Sequence, residues 1–416
     1  MADLSRNETA LSSGETAPWL TIVGLGEDGR AGLSAAALKA LDEAELVVGG
    51  IRHLALVAPL ARETLAWPSS IQEAFPAILA RRGGRVCVLA SGDPFHYGVG
   101  VQLTAHVPAA EMRVLPQPSA FSLAAGRLGW AQQDCALVSL HGRPLERIVP
   151  YLQPGARILA LSWDGSTPAK LAALLGERGL GASEIVVLEA LGGPRERVRR
   201  GIARDFVLDD IDPLNTIGID VVAGPGARTL PLTPGLDDDW FSSDGQLTKA
   251  EIRAVTLSAL SPRRGQVLWD IGAGSGSIAI EWCLRHQANR AFAIEPRPDR
   301  AARIEANALD LGAPEVTLVR GEAPAALAGL AAPDAVFIGG GIGDAGVFET
   351  AWAGLKSGGL LVANVVTLEG EARLAALFAT HGGTMRRIAV ARLDAIGGLH
   401  GWRAAMPVTQ WRVQKP

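Results

Sequence analysis

Gly272, Gly274 and Gly276 stand at alternate positions just after the apolar segment Val267–Ile271, which carries Asp270; Ala273 and Ser275 lie between them. Backbone approaches a ligand closely only where side chains are missing, and this run supplies that opening. A helix expected from Ser277 adds free N–H groups and a partial positive charge. A dinucleotide fingerprint requires G-x-G-x-x-G, and counted from Gly272 its third glycine falls on Ser277, so that fingerprint fails. The next expected strand ends at Glu295, 19 residues after Gly276. An ionised Glu only accepts hydrogen bonds, which suits the two hydroxyls of a ribose. After a third strand come Gly321-Glu322-Ala323. The alternative is a glycine turn that merely packs a helix on a strand.

The form D-x-G-x-G-x-G is similar to motif I of the Rossmann-like S-adenosylmethionine (SAM) methyltransferases. The resemblance implies that Gly272–Gly276 take the methionine part of the cofactor. It likewise assigns Glu295 to the ribose, Glu322 and Ala323 to the adenine amine, and Thr248 to the same pocket.

Four loops in the first half are also candidate ligand loops. Gly24-Leu25-Gly26-Glu27-Asp28-Gly29 does match G-x-G-x-x-G after a strand, and taken alone it argues for NAD. The next strand, however, ends at Gly49-Gly50 with no acid for a ribose, and Asp28 sets a negative charge where a pyrophosphate would lie. Ser91-Gly92-Asp93-Pro94-Phe95-His96-Tyr97-Gly98 follows an expected strand, as ligand loops of α/β proteins do. Gln117-Pro118-Ser119-Ala120 enters a helix with Ser119 as N-cap. Ser139-Leu140-His141-Gly142-Arg143 is the fourth. Each, taken singly, is also an ordinary strand-to-helix turn.

The elements that must position these loops alternate strand, Gly-rich turn and helix, which predicts an α/β protein with parallel sheets. Strands are expected at Trp19–Val23, Leu46–Val48, Val86–Ala90, Ile158–Leu161, Ile185–Leu188 and Ile217–Val222. In the second half they are expected at Val267–Ile271, Ala291–Ile294, Val316–Val319, Ala335–Ile338, Leu360–Ala363 and Arg387–Ala391. A helix is expected near Lys249–Leu260. Pro231–Asp244 combines prolines, Gly235, an acidic run and serines, which is linker chemistry. The expected division is a disordered polar tail over 1–17, a first domain over 18–230, a linker over 231–244 and a second domain over 245–416.

The chain of 416 residues is long enough for two or three cores. With 48% hydrophobic and 20% charged residues it has a globular composition rather than a disordered one. A net charge of −4 argues against nucleic acid as a partner. No apolar run reaches the ~18 residues of a membrane span. Cys87, Cys135 and Cys283 are too widely spaced for a zinc site or a disulfide framework, so no metal is expected. A cytoplasmic protein is expected.

Together the first-half segments resemble the tetrapyrrole methylase family of cobalamin biosynthesis. Thr21–Gly26, Gly92–Gly100, Gln117–Trp130 and Ser139–Arg143 carry the likeness; the first loop departs from the family's usual G-x-G-P-G-D. In the second half, Gly245–Ser258, Asp270–Trp282, Gly321–Pro324, Phe337–Gly341 and Ala363–Glu369 resemble the decarboxylating partner of the same pathway. Both halves in one chain resemble the CobL type of precorrin-6B (precorrin-6Y) C5,15-methyltransferase (decarboxylating), a fusion of CbiE-like and CbiT-like domains. This implies a tetrapyrrole-methylase-like domain of two α/β lobes followed by a Rossmann-like methyltransferase domain. It implies two SAM sites, one per domain, with Gly24, Gly26, Gly92, Asp93, Pro94, Ser119, Ala120, His141 and Gly142 in the first. Methylation of ring carbons 5 and 15 of a corrinoid, loss of the acetate carboxyl on ring carbon 12, and a homo-oligomer are implied as well.

Methyl transfer from a sulfonium needs alignment rather than a protein nucleophile. Decarboxylation needs a pocket for one carboxylate and a returning proton. His96 and Tyr97, beside Asp93, could handle a proton, and His400 lies in the Gly-rich stretch Gly397–Trp402, expected as a lid over the second site. These three are the candidate catalytic residues, and the sequence names no proton donor for the decarboxylation. A flat polycarboxylate needs Arg at its rim; Arg127, Arg143, Arg195 and Arg197 are candidates in the first half, Arg253 and Arg392 in the second. The competing readings are an NAD-dependent oxidoreductase built on Gly24–Gly29, a non-catalytic pathway scaffold, and a methyltransferase acting on RNA or protein.

Overall fold

The computed structural model describes residues 18–416, and the tail expected over 1–17 lies outside the described residues. The chain divides into two compact units: one runs to Arg143 and resumes over Gly155–Ala227, the other comprises Pro144–Pro154 and Arg228–Pro416.

The first unit holds two five-stranded sheets. In the first, β1 (Leu20–Leu25), β2 (Leu46–Gly49), β3 (Glu63–Ala66), β4 (Val86–Ser91) and β5 (Met112–Leu115) are ordered β3-β2-β4-β1-β5. All its pairings are parallel. β2 is buried throughout and β4 everywhere but its last residue, Ser91, which explains their unbroken apolar sequences. Leu20, Ile22, Val48 and Val88 fill one core and Val23, Val47, Cys87 and Leu89 another.

The second sheet corrects the expectation of parallel strands. Its order is β6-β7-β10-β8-β9, from β6 (Cys135–Ser139), β7 (Arg157–Leu161), β8 (Glu184–Glu189), β9 (Arg197–Ile202) and β10 (Asn215–Asp220). Only β6 and β7 pair in parallel. The helix Thr167–Glu177 does carry the chain from β7 to β8 as a crossover, but β10 inserts between them, antiparallel to both. The short connection from β8 to β9 leaves no room for a second crossover, so that pair is antiparallel too.

The second unit is built on one sheet of order β13-β12-β11-β14-β15-β19-β16. β11 (Val267–Ile271), β12 (Arg290–Glu295), β13 (Val316–Arg320), β14 (Ala335–Ile338) and β15 (Leu360–Val365) are parallel. β19 (Val408–Gln414) runs antiparallel between β15 and β16 (Thr384–Ile388). The strand expected over Arg387–Ala391 is instead broken: Ile388 pairs with Val408, the first residue of β19, and the chain then leaves the sheet. It continues as a separate hairpin of β17 (Ala391–Ile396) and β18 (Leu399–Ala404). The stretch 231–244, expected as a linker, is packed into this unit. Leu236 and Phe241 are buried, and Ser242 exchanges hydrogen bonds with the Asn307 amide at 2.9 and 3.0 Å.

Candidate functional site

In the second unit β11 delivers the chain into the glycine loop, and the helix Ser277–Leu284 begins directly behind it. Gly272, Gly274 and Gly276 have φ of 72°, 60° and 79°, the left-handed region that side chains avoid. A Cβ on Gly272 would stand 3.0 Å from the backbone N of Gly340, so the loops after β11 and β14 close on each other there. Gly276 packs against Ile304, and Ser275 is held from beneath by Asn307, whose amide donates to the Ser275 carbonyl at 2.9 Å.

Glu295, the last residue of β12, accepts the Gly274 N–H at 2.8 Å and the Arg297 N–H at 3.1 Å, one on each oxygen. Asp270 is buried in β11; its Oδ2 accepts the Ala279 N–H at 3.0 Å, and its Oδ1 has no partner among the described residues. Burial pushes this carboxyl up to about 7, the Ala279 N–H works against that, and the nearby Glu295 charge adds to it. The Ser275 hydroxyl is also buried without a described partner. A side-chain-free cradle, a carboxylate at its edge and orphaned polar atoms beneath it fit a polar, nucleoside-bearing ligand such as SAM.

These groups border a cavity of about 1470 Å³. Among the expected residues Thr248, Gly272, Ala273, Gly274, Glu295, Glu322, Ala323 and Arg392 line it, whereas Ser275 and Gly276 form its support. Arg392 holds Glu251 through two hydrogen bonds of 3.1 and 2.5 Å. Two expectations are corrected. Arg253 is wholly buried, paired with Glu281 and donating to the carbonyls of Thr248 and Leu236, so no substrate reaches it. His400 lies on β18 opposite Ala395, beside the Gly397-Gly398 turn, and does not line the cavity; only the base of that hairpin does.

In the first unit three strand ends converge. Gly92 donates to the Leu25 carbonyl at 3.0 Å and accepts from the Gln117 N–H at 3.1 Å. A Cβ on Gly24 would collide with the Gly92 carbonyl and stand 2.6 Å from Gln117 N; one on Gly92 would stand 2.9 Å from the Pro118 carbonyl. The Asp28 carboxylate lies over Gly26, within 2.6 Å of where a Cβ would be. Asp93 turns its own loop by accepting the Phe95 N–H at 2.8 Å, and the Pro94 carbonyl accepts from Gly100 at 2.9 Å. Ser119 caps the helix Ala120–Leu128, accepting from Ser122 N–H at 3.2 Å.

His96, Tyr97 and Phe121 form an aromatic cluster, with ring centroids 4.9 to 6.1 Å apart. The Arg143 guanidinium sits 5.7 Å from the Tyr97 ring, which joins the His141–Arg143 loop to this cluster; Gly142 turns that loop at φ 66° and His141 lies 6.4 Å from Trp163. Arg127 is paired with Glu196, Arg195 with Asp212 and Arg197 with Glu189. Arg143 alone of these four forms no ion pair with a described residue.

One cluster escaped the sequence reading. Arg52 pairs with Glu27 of the first glycine loop, and its other nitrogen donates at 3.0 Å to both Ser91 Oγ and His53 Nε2. Ser91 Oγ is 2.8 Å from the same Nε2. A guanidinium only donates, so Nε2 accepts and the ring proton sits on Nδ1. Burial, reinforced by Arg52, presses His53 down to about 4, too weak a base to activate Ser91 as a nucleophile. The position after β2, where a dinucleotide fold carries an acid, is thus occupied by a cation. The signal was Arg52-His53 directly after Gly49-Gly50; the 38-residue separation from Ser91 hid the partner.

Comparison with known proteins finds two different families along the chain. Residues 19–206 match the tetrapyrrole (corrin/porphyrin) methylases, and residues 239–415 match the precorrin methyltransferase domain. A precorrin-6Y C(5,15)-methyltransferase (decarboxylating) of Sinorhizobium sp is 55% identical over 412 residues, 99% of each chain. A cobalt-precorrin-7 C(5)-methyltransferase of Salmonella typhimurium is 35% identical over 182 residues, 43% of this chain and 88% of its own. A probable cobalt-precorrin-6B C(15)-methyltransferase (decarboxylating) of Pyrobaculum calidifontis is 40% identical over 141 residues, 33% of this chain and 72% of its own. Matched at more than half its positions along nearly its whole length, the chain belongs to the precorrin-6Y C5,15-methyltransferase (decarboxylating) family.

Proposed function

We propose that this chain methylates ring carbons 5 and 15 of precorrin-6B in cobalamin biosynthesis and removes the acetate carboxyl on ring carbon 12 as carbon dioxide, giving precorrin-8X. The observation that carries the reading is the presence of two independent glycine-walled loop sets, one in each unit, in a chain that matches a C5,15 enzyme over 99% of its length. The separate C5 and C15 relatives support a division in which the first unit methylates carbon 5 and the second decarboxylates and methylates carbon 15.

SAM, held once per unit, supplies an activated methyl group. In the second unit the backbone of Gly272–Gly274 and the carboxylate of Glu295 would hold it, since each Glu295 oxygen keeps acceptor capacity beyond its one backbone bond. Glu322 and Ala323 line the same cavity and would meet the adenine. In the first unit Gly24, Gly92 and Ser119 bring three backbones together with little side-chain bulk, and the His96–Tyr97–Phe121 cluster offers a stacking surface for a flat macrocycle. Arg143, at the edge of that cluster, is placed for a carboxylate of the same ligand. The residues align reactants, and no nucleophilic side chain is required.

Cytoplasmic location and a homo-oligomer belong to the same proposal. Among the described residues no helix is long and apolar enough to cross a membrane. The two-stranded hairpin β17–β18 exposes Leu393, Ile396, Leu399 and Trp402, an apolar surface that a second copy would cover. Sedimentation of the full chain tests the oligomer.

The activity is tested by incubating the chain with the corrinoid and SAM and weighing the product. Gain of two methyl groups with loss of one carbon dioxide is expected. A single methyl group, or none, would overturn the reading.

A further inference from the structure

Asn364 stands at the carboxyl end of β15 on the cavity wall, and its amide is held by a network beneath it. Thr256 donates its hydroxyl proton to the Ile252 carbonyl at 2.7 Å, so its oxygen accepts from Asn364 Nδ2 at 2.8 Å and from Gln410 Nε2 at 3.2 Å. Gln410, the cross-strand neighbour of Asn364, also donates to Asn364 Oδ1 at 3.0 Å. Gln410 is fully buried and its Oε1 has no partner among the described residues. Leaving that oxygen unsatisfied costs about 1–3 kcal/mol. The arrangement tolerates this and in return fixes which way the Asn364 amide points, leaving one N–H and one lone pair of Asn364 for the cavity.

The charges around it are spoken for. Five basic side chains line the cavity, and each is in an ion pair: Lys249 with Asp238, Arg297 with Asp299, Arg300 with Asp244, Arg392 with Glu251 and Arg403 with Asp394. Six carboxylates line the same wall. A carboxylate entering here meets no uncommitted cation among the described residues.

That suits a carboxyl group that must leave. In the decarboxylation the bond between the acetate methylene and its carboxyl carbon breaks, carbon dioxide departs, and the bonding electrons pass into the conjugated macrocycle. A solvent-derived proton later returns to the methylene. Negative charge therefore moves away from the carboxyl in the transition state. A cation at the carboxyl would stabilise the ground state more and slow the step, whereas a neutral, rigid N–H orients the group with less of that penalty. We propose that Asn364 is a catalytic residue of the decarboxylation, its side-chain N–H receiving the departing acetate carboxyl, with Thr256 and Gln410 as the positioning residues behind it. The proposal rests on the activity proposed above and names the group that performs one half of it.

The test uses the full chain with the corrinoid and SAM, following carbon dioxide release, methyl incorporation, and SAM affinity by calorimetry. Asn364→Ala is expected to lower kcat for carbon dioxide release by about 100-fold, the scale of losing the orientation of a reacting group, with SAM affinity and carbon-5 methylation kept. Asn364→Lys is the sharper variant: a cation should lower KM and still lower kcat. Asn364→Leu, close in shape and without a donor, replaces the Ala variant should that one fail to fold. Carbon dioxide release at the wild-type rate in the Ala or Leu variant, or at or above it in the Lys variant, would overturn the assignment, as would a parallel loss of SAM affinity. Wild-type protein that releases no carbon dioxide would instead overturn the activity itself.

Discussion

Arg253 and Glu281 face each other wholly out of solvent, Nε to Oε1 at 2.5 Å. The same carboxylate accepts the N–H groups of Gly235 and Leu236 at 2.7 and 3.0 Å, and the guanidinium lies 4.6 Å from the Phe241 ring. The pair ties the helices Ala250–Leu260 and Ser277–Leu284 to the segment that precedes them. Arg253→Ala would strand a buried carboxylate, a loss of roughly 3–5 kcal/mol. The unfolding midpoint of the second unit should fall by roughly 10 °C. Thermal unfolding checks this; an unchanged midpoint with a raised KM would restore Arg253 as a substrate ligand.

Glu295→Ala removes the acceptor for two backbone N–H groups and, on the proposed function, for the ribose. Charge-assisted hydrogen bonds contribute about 1.5–3 kcal/mol each, so SAM affinity at this site should weaken by roughly 10- to 100-fold. Titration of the full chain should show one of two binding events weakened. Weakening of both, or of neither, would refute the assignment.

The glycine loop was legible because its signals are local: an apolar strand, glycines where φ is positive, and a helix start. The Ser119 cap was legible for the same reason. Arg253 was misread although a local signal existed. With Thr256, Leu257 and Leu260 it occupies the i, i+3, i+4, i+7 stripe that faces the core, and all four are buried. Its partner lies 28 residues away, and nothing in the spacing names it. The antiparallel second sheet was illegible because β10 inserts from far along the chain. The Asn364 network joins residues 46 to 154 positions apart, so only the folded sheet and its neighbouring helix assemble it.

Asp270 gives the second unit a pH dependence of stability. An exposed Asp in the unfolded chain titrates near 3.8, and the buried one near 7. Between those values the folded state holds the extra proton, so stability falls as pH rises from about 4 to about 7 and is flat above. Asp270→Asn should flatten that slope for the second unit, read from unfolding midpoints across the range. A slope unchanged by the substitution would mean that the carboxyl titrates normally.

His53 gives the first unit a slope of opposite sign. Its folded value is about 4 against 6.5 unfolded, owing to burial and then to Arg52. Between these the unfolded state holds the extra proton, so stability is full above 6.5 and is lost as pH falls toward 4. His53→Asn should remove that loss. The relevant transition is identified as the one that Arg253→Ala leaves in place.

Gly24→Ala tests whether the converging loops of the first unit are the carbon-5 site. The added methyl would collide with the Gly92 carbonyl and crowd Gln117 N, and backbone on both sides has no rotamer with which to yield. The loops after β1, β4 and β5 must then separate, and catalytic geometry is sensitive to shifts of about 1 Å, which lose around 100-fold in rate. The product should lack the carbon-5 methyl yet still be decarboxylated and methylated at carbon 15. Gly126→Ala is the control, since a Cβ there meets nothing within 4 Å and the residue is helical. Full carbon-5 methylation by the Gly24 variant would move that reaction away from these loops.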